Sequence, residues 1–321
     1  MADTKRIMIR SLLRKNEVGV VLPLLFLYVV VFIINSSFFN ITNILDILRT
    51  ASFSFLVAIP TTFLMSCGGM DLSIGAATSF GGVLCAFCLK AGFPLPVSIL
   101  IALMGGFTIG LFNGIIIVHF ELPAFIATLG TQYVVNGIIQ VSTKALAISG
   151  FSDSFKFIGQ ARVSGIPFPV IYAIVLGGIA HILLIYTKYG RSILAIGGNR
   201  ETAYLSGINV KLLQISAYIA STTFAALSGI LIASRFATAQ PASGTGTELT
   251  IIASVIIGGT SMFGGSGTVI GSALGCILLA TIINALIVMG VSSFWQNLIF
   301  GIILLISLFI DKYRRKASSG E

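Results

Sequence analysis

Asp71 is the residue best placed for chemistry: it sits in Gly68-Gly69-Met70-Asp71-Leu72-Ser73-Ile74-Gly75, between two long apolar runs. Two roles fit it. It is a gate or coupling residue, or it opens the following helix and accepts backbone N–H bonds there. Glu248 begins an apolar run after Pro241-Ala242-Ser243-Gly244-Thr245-Gly246-Thr247, and a first-turn position is a sufficient structural reason for it. Glu121 reads as a solvated turn residue before Pro123. The neutral polar residues are more suggestive. Thr128, Gln132, Asn136 and Gln140 recur every four residues and so share one helix face. Gln214, Tyr218, Ser221 and Thr222 make a second such face. A polar stripe on an otherwise apolar helix must face protein or water. Interhelical hydrogen bonding and a path for a hydroxyl-rich solute both fit.

Other chemistries lack their residues. No Lys follows a Gly, so the chain has no GxxxxGK[ST] phosphate loop and any ATP coupling needs a partner. Cys85 and Cys88 have CxxC spacing without a second pair or a usefully placed His; with Cys67 and Cys276 they read as buried small side chains. Gly264-Gly265-Ser266-Gly267 fits a GxSG pattern, but His119 and His181 lie upstream of it, against the order that intramembrane serine proteases use. We expect no catalytic residue, no metal ligand and no cofactor bound by this chain.

The elements that position these residues follow from composition. Apolar residues make up 56% of 321 positions and charged ones 9%, against about 25% charged in soluble domains. Such a chain cannot cover a water-facing surface, so most of its outside faces lipid. The net charge of +9 does not signal nucleic acid, because the basic residues lie at the chain ends and in one loop. Apolar segments fall near 18–36, 45–67, 73–91, 95–118, 124–142, 168–187, 211–235, 248–264, 268–290 and 294–311. They predict an all-α membrane protein of about ten spans in a single domain, 1–321, with the second broken at Pro60 and the first left uncleaved. The 35 glycines predict close helix crossings.

An even number of spans puts both termini on one side. Six of the 19 Lys and Arg (Arg49, Lys90, Lys144, Lys156, Arg162 and Arg235) then fall on the far side, and the rest on the side of the termini. That asymmetry makes the terminal side cytoplasmic, with the tails 1–17 and 312–321 and the loop 188–210 inside and the loops 143–167 and 236–247 outside. Gly68-Gly69 with Ile74, Gly75 and Ala77 is echoed at constant offset by Gly264-Gly265 with Ile270, Gly271 and Ala273. Transporters often contain such repeats, and chance explains two short matches as well.

Several stretches together resemble the permeases of ribose-type ABC importers. They are the segment from Gly68 to Gly75; Ala124-Phe125-Ile126-Ala127-Thr128-Leu129-Gly130-Thr131; the run Gly190 to Asn199; Ala203-Tyr204-Leu205-Ser206-Gly207-Ile208-Asn209; the run Ala239 to Gly246; Gly258-Gly259-Thr260-Ser261; and Gly290 to Gln296. Met70 departs from the isoleucine usual there. The resemblance implies a homodimeric channel in the cell inner membrane, translocating a monosaccharide, ribose-like or related, and leaves open which one. It implies an ATPase subunit inside that holds ATP and Mg, and an extracytoplasmic solute-binding protein. The binding protein's docking surface would include Gln240, Pro241, Ser243 and Thr245.

The inner loop carries its own signal. Asn199 is a good N-cap, Glu201 falls in the first turn, and Gly207 is placed to end the helix. A helix this short needs a partner surface. Ala203 would let a partner approach closely, Tyr204 and Leu205 offer apolar contact, and Ser206 completes the stretch. The resemblance implies that this is the helix that docks into the ATPase; the alternative is a loop helix lying on its own membrane face. An ion-coupled secondary transporter using Asp71 or Glu248 is the rival class for the whole chain.

Overall fold

A computed structural model describes residues 36–292 continuously, with a few isolated positions on either side. The expected first and last spans, 18–36 and 294–311, and the tails 1–17 and 312–321 fall outside the described residues, apart from those positions. Among the described residues six helices are long and apolar enough to cross a membrane. They are α1 (Ile41–Ser66), α3 (Leu95–Val118), α4 (Ala124–Thr143), α6 (Phe168–Tyr186), α9 (Val210–Phe236) and α11 (Val269–Val288). Two shorter apolar helices, α2 (Ile74–Lys90) and α10 (Thr247–Ile257), complete the bundle.

Pro60 does not break α1. The helix runs through it, and the hydroxyls of Thr61 and Thr62 donate to the carbonyls of Val57 and Ala58 at 2.8 and 2.7 Å. Side-chain donors of this kind are how an apolar bundle tolerates proline within a helix. The expected span 248–264 does not form. Helix α10 stops at Ile257 after 11 residues, about 16 Å of rise, roughly half the hydrocarbon thickness. The chain continues without helix through 258–268, where Gly259, Gly264 and Gly265 take left-handed conformations closed to other residues at little cost. Average hydropathy does not register such positions.

Helix α9 is the central post and packs against α1, α2 and α3. Glycines set those crossings. A Cβ at Gly81 or Gly82 would press on the backbone of Ala226 or Gly229, and one at Gly106 on the carbonyl of Thr222. Backbones approach closely only where side chains are absent, which is what the glycine-rich composition predicts.

The chain is not purely helical. At one end of α9, β1 (Ile148–Ser149) pairs antiparallel with β4 (Thr238–Ala239), Ile148 opposite Ala239. Beside them lie α5 (Asp153–Gln160) and the hairpin of β2 (Arg162–Val163) with β3 (Ile166–Pro167). The loops 143–167 and 236–247 are thus bound to each other at one end of the bundle. At the other end of α9 the loop 188–210 forms two helices, α7 (Lys188–Gly198) and α8 (Arg200–Leu205), joined at Asn199.

Candidate functional site

Asp71 lies in the turn between α1 and α2 and is 2% exposed. It is not the helix cap: α2 begins at Ile74, and Ser73 occupies the cap position. Instead Asp71 Oδ1 accepts both the backbone N–H of Ser73 at 2.8 Å and its hydroxyl at 2.6 Å. The Ser73 hydroxyl accepts from Asn113 Nδ2 on α3 at 2.8 Å, and Asn113 Oδ1 accepts from the Thr131 hydroxyl on α4 at 2.7 Å. One helical turn earlier, Thr128 Oγ1 accepts the N–H of Leu72 at 3.1 Å. This chain of bonds locks the turn to three helices. Asp71 Oδ2 has no hydrogen-bond partner. Asn113 was not singled out in the sequence; a lone amide in an apolar helix was the signal available for it.

Two residues of the α9 stripe serve the same turn, and a third reaches α3. Tyr218 donates to the carbonyl of Met70 at 3.3 Å, Gln214 to that of Cys67 at 3.5 Å, and Thr222 to that of Gly106 at 2.7 Å. Of the two readings open for this face, three of its four residues follow interhelical hydrogen bonding.

The α4 stripe divides. Thr128 is buried in the Asp71 network, Gln132 Nε2 donates to Glu248 Oε1 at 2.9 Å, and Asn136 and Gln140 line an open recess of about 440 Å³. Ala145, Ala147, Gln240, Pro241, Ala242 and Thr245 complete the recess, so two groups of residues that the sequence suggested for different roles share one wall. Ser243 turns away from it, toward Ser79 of α2 at 3.5 Å. The segment 240–246 dips deep into the bundle: Gly244 donates its N–H to Ser79 Oγ at 2.8 Å and lies against Gly75, in the first turn of α2. Helix α10 therefore begins within the depth of the bundle, and Glu248 in its first turn is 8% exposed. Irregular backbone at such depth occurs where it is packed in protein or lines a water-filled cavity.

At the other end, Asn199 Oδ1 accepts the N–H of Thr202 at 2.9 Å, and Gly207, with φ of 81°, donates to the Tyr204 carbonyl at 2.9 Å. Glu201 lies in the first turn, and Ser206 donates its hydroxyl to the Thr202 carbonyl at 2.8 Å. Tyr204 and Leu205 are 71% and 78% exposed. Ala203 is 4% exposed and packs in an apolar cluster with Leu184, Ile196 and Val210. It faces the chain's own interior, so it offers a partner no close approach. An open hollow of about 890 Å³ runs beside α8, lined by Arg200, Glu201, Tyr204 and 207–211. The end of α7 meets the last residue of α1 and the second Gly-Gly turn: Gly197 lies against Ser66, Gly264 and Gly265, and the Gly265 N–H donates to the Ser66 carbonyl at 2.9 Å.

Among the described residues no group of three His, Cys, Asp or Glu could hold a metal, and the four cysteines are free and buried. An apolar bundle with a buried polar core, a recess at one end and an exposed short helix at the other is the architecture of a multi-pass membrane protein. Residues 43–308 match the family described as branched-chain amino acid transport system / permease component, and the chain belongs to that family. It is 36% identical over 296 residues to the ribose import permease protein of Haemophilus influenzae, covering 91% of this chain and 92% of that one. It is 36% identical over 312 residues to the ribose import permease protein of Bacillus subtilis (97% and 96%), and 34% over 276 residues to the D-allose transport system permease protein of Escherichia coli (86% and 85%). No solved structure matches it significantly. As a permease subunit the chain is a transport component and not an enzyme.

Proposed function

We propose that the chain carries a neutral monosaccharide into the cell as the membrane subunit of an ATP-driven importer, working as a homodimer in the cytoplasmic membrane. The observation that carries the substrate class is the recess: amide, hydroxyl and apolar side chains line it and no charged one does. Such a wall suits a solute rich in hydroxyls and offers nothing to a charged one. The relatives named for ribose and allose import point the same way. In this reading the recess opens outward, where a solute-binding protein docks on 236–247 and delivers the sugar. Helix α8 lies in the cytoplasm and presents Tyr204 and Leu205 to an ATPase subunit, which holds ATP and Mg. With the six long helices, α2 and the half-length α10, the segments 18–36 and 294–311 bring the apolar helices to about ten, with both termini inside and lipid around the bundle.

The test is reconstitution into liposomes with a partner ATPase and a solute-binding protein. ATP should drive uptake of ribose or allose, and native mass spectrometry should find two copies of this chain. Asn136→Leu should dry the recess and slow uptake severalfold, leaving the binding protein's own sugar affinity unchanged. Uptake driven by an ion gradient without ATP would establish the secondary transporter instead, and a transporting complex with one copy would remove the homodimer.

A further inference from the structure

Glu248 brings three elements together. Its Oε1 accepts from Gln132 on α4, while its Oε2 is buried without a hydrogen-bond partner. Oε2 lies over Gly75 of α2, where an added Cβ would collide with it. A side chain at position 75 would therefore push Glu248 off Gln132. One turn along the same face of α4 in one direction, Asn136 lines the recess; one turn in the other, Thr128 is buried against Leu72. The Gln132–Glu248 bond thus stands where the open recess ends and closed packing begins.

We infer that this bond is the closed gate at the floor of the recess, and that Glu248 is the residue that meets the solute when the gate opens. The inference rests on the permease reading above. A buried acceptor left without a donor disfavours the closed arrangement. Once Gln132 swings away, both carboxylate oxygens face the recess, and water or sugar hydroxyls supply the missing donors. A solute must then bring several hydroxyl donors to hold the gate open, which a charged anion or an apolar molecule does not. Glu248 then touches the solute itself, and its place beyond the helix cap has a use that the N-terminal location alone does not explain.

The experiment reads leakage, which a purely structural bond would not control. The full-length chain, purified with the subunits that accompany it, is sealed into liposomes loaded with radiolabelled ribose, and efflux is followed without nucleotide. Wild type should hold its ribose. Gln132→Glu sets two carboxylates face to face and should speed efflux by about tenfold, the population shift that loss of one hydrogen bond to a carboxylate produces. Gln132→Glu combined with Glu248→Gln restores a donor–acceptor pair in reverse and should restore tightness. If size exclusion shows that Gln132→Glu fails to assemble, Gln132→Ala carries the same expectation. An assembled Gln132→Glu or Gln132→Ala protein as tight as wild type would overturn the gate, as would a swapped pair that leaks like the single variant. Failure of the wild-type complex to import sugar under ATP would instead remove the importer reading; the efflux comparison needs no ATP and still decides the gate.

Discussion

Asp71, Ser73, Asn113 and Thr131 show what a buried polar group must do in an apolar bundle. Ser73 and Asn113 each accept from one neighbour and donate to another, and Thr131 is the donor that ends the series, so removing one member strands the next. Thr131→Val should leave Asn113 Oδ1 without its donor and lower the unfolding midpoint, at a cost of roughly 1–3 kcal/mol for the stranded group. Asp71→Ala should cost more, since Ser73 loses an acceptor for both its N–H and its hydroxyl. Thermal unfolding of the purified protein in detergent checks both; equal melting of Thr131→Val and wild type would mean that the series carries no stability. Asp71 and Thr131 are 60 positions apart, and no local rule joins them. The sequence marked Asp71 as a charge out of place but could not reveal that its partner is a serine two residues on, itself held by an asparagine on another helix. Gln132 and Glu248 were equally opaque as a pair. A period of four exposes a shared face, not what lies opposite it.

Helix α8 was the most legible element, because its signals are local: a capping Asn199, an acidic first turn and a terminating Gly207 all lie within nine residues and all act as those residue types dictate. Which of its side chains face outward was not legible, because that depends on the cluster beneath it. Ala203 points in, and Tyr204 and Leu205 point out. The consequence is a paired prediction. Leu205→Glu alters an exposed position, where surface changes cost within about 0.5 kcal/mol, so the permease should fold and insert normally while losing its ATPase in pull-down and its ATP-driven uptake. Ala203→Arg forces a charge among Leu184, Ile196 and Val210 and should lower the yield of folded permease itself. An assembled Leu205→Glu protein that still retains its ATPase would show α8 to be a loop helix lying on its own membrane face. Helix α10 is the opposite case. Its apolar run continues past Ile257, but glycines in left-handed conformations end the helix, and a hydropathy window averages over them.

The whole molecule is organised by which end of the bundle each loop occupies. Helix α9 runs 27 residues, about 40 Å, from the α8 end to the β4 end, enough to cross a bilayer. The pairing of Ile148 with Ala239 holds the loops 143–167 and 236–247 together at the β4 end, away from α7 and α8. These contacts fix which loops are neighbours but not which compartment each end meets; that rests on charge. Arg49, Lys90, Lys144, Lys156, Arg162 and Arg235 are the six of the 19 Lys and Arg assigned to the β4 end, and the loop 188–210, Lys211 just after it and both tails carry the rest. Positive residues resist translocation, and this is the ground for the proposal that the α8 end is the cytoplasmic one. Single cysteines test this directly, since the four native cysteines are buried. Thr245, on the wall of the recess, and Glu201, at the α8 end, are both exposed. In intact cells a membrane-impermeant maleimide should label Thr245→Cys and not Glu201→Cys, and inverted vesicles should reverse the pattern. Labelling of Glu201→Cys from outside would invert the molecule, putting the recess on the cytoplasmic face and α8 beyond the reach of any cytoplasmic ATPase. The importer reading would fail with it, because the solute would then meet the recess only from within the cell.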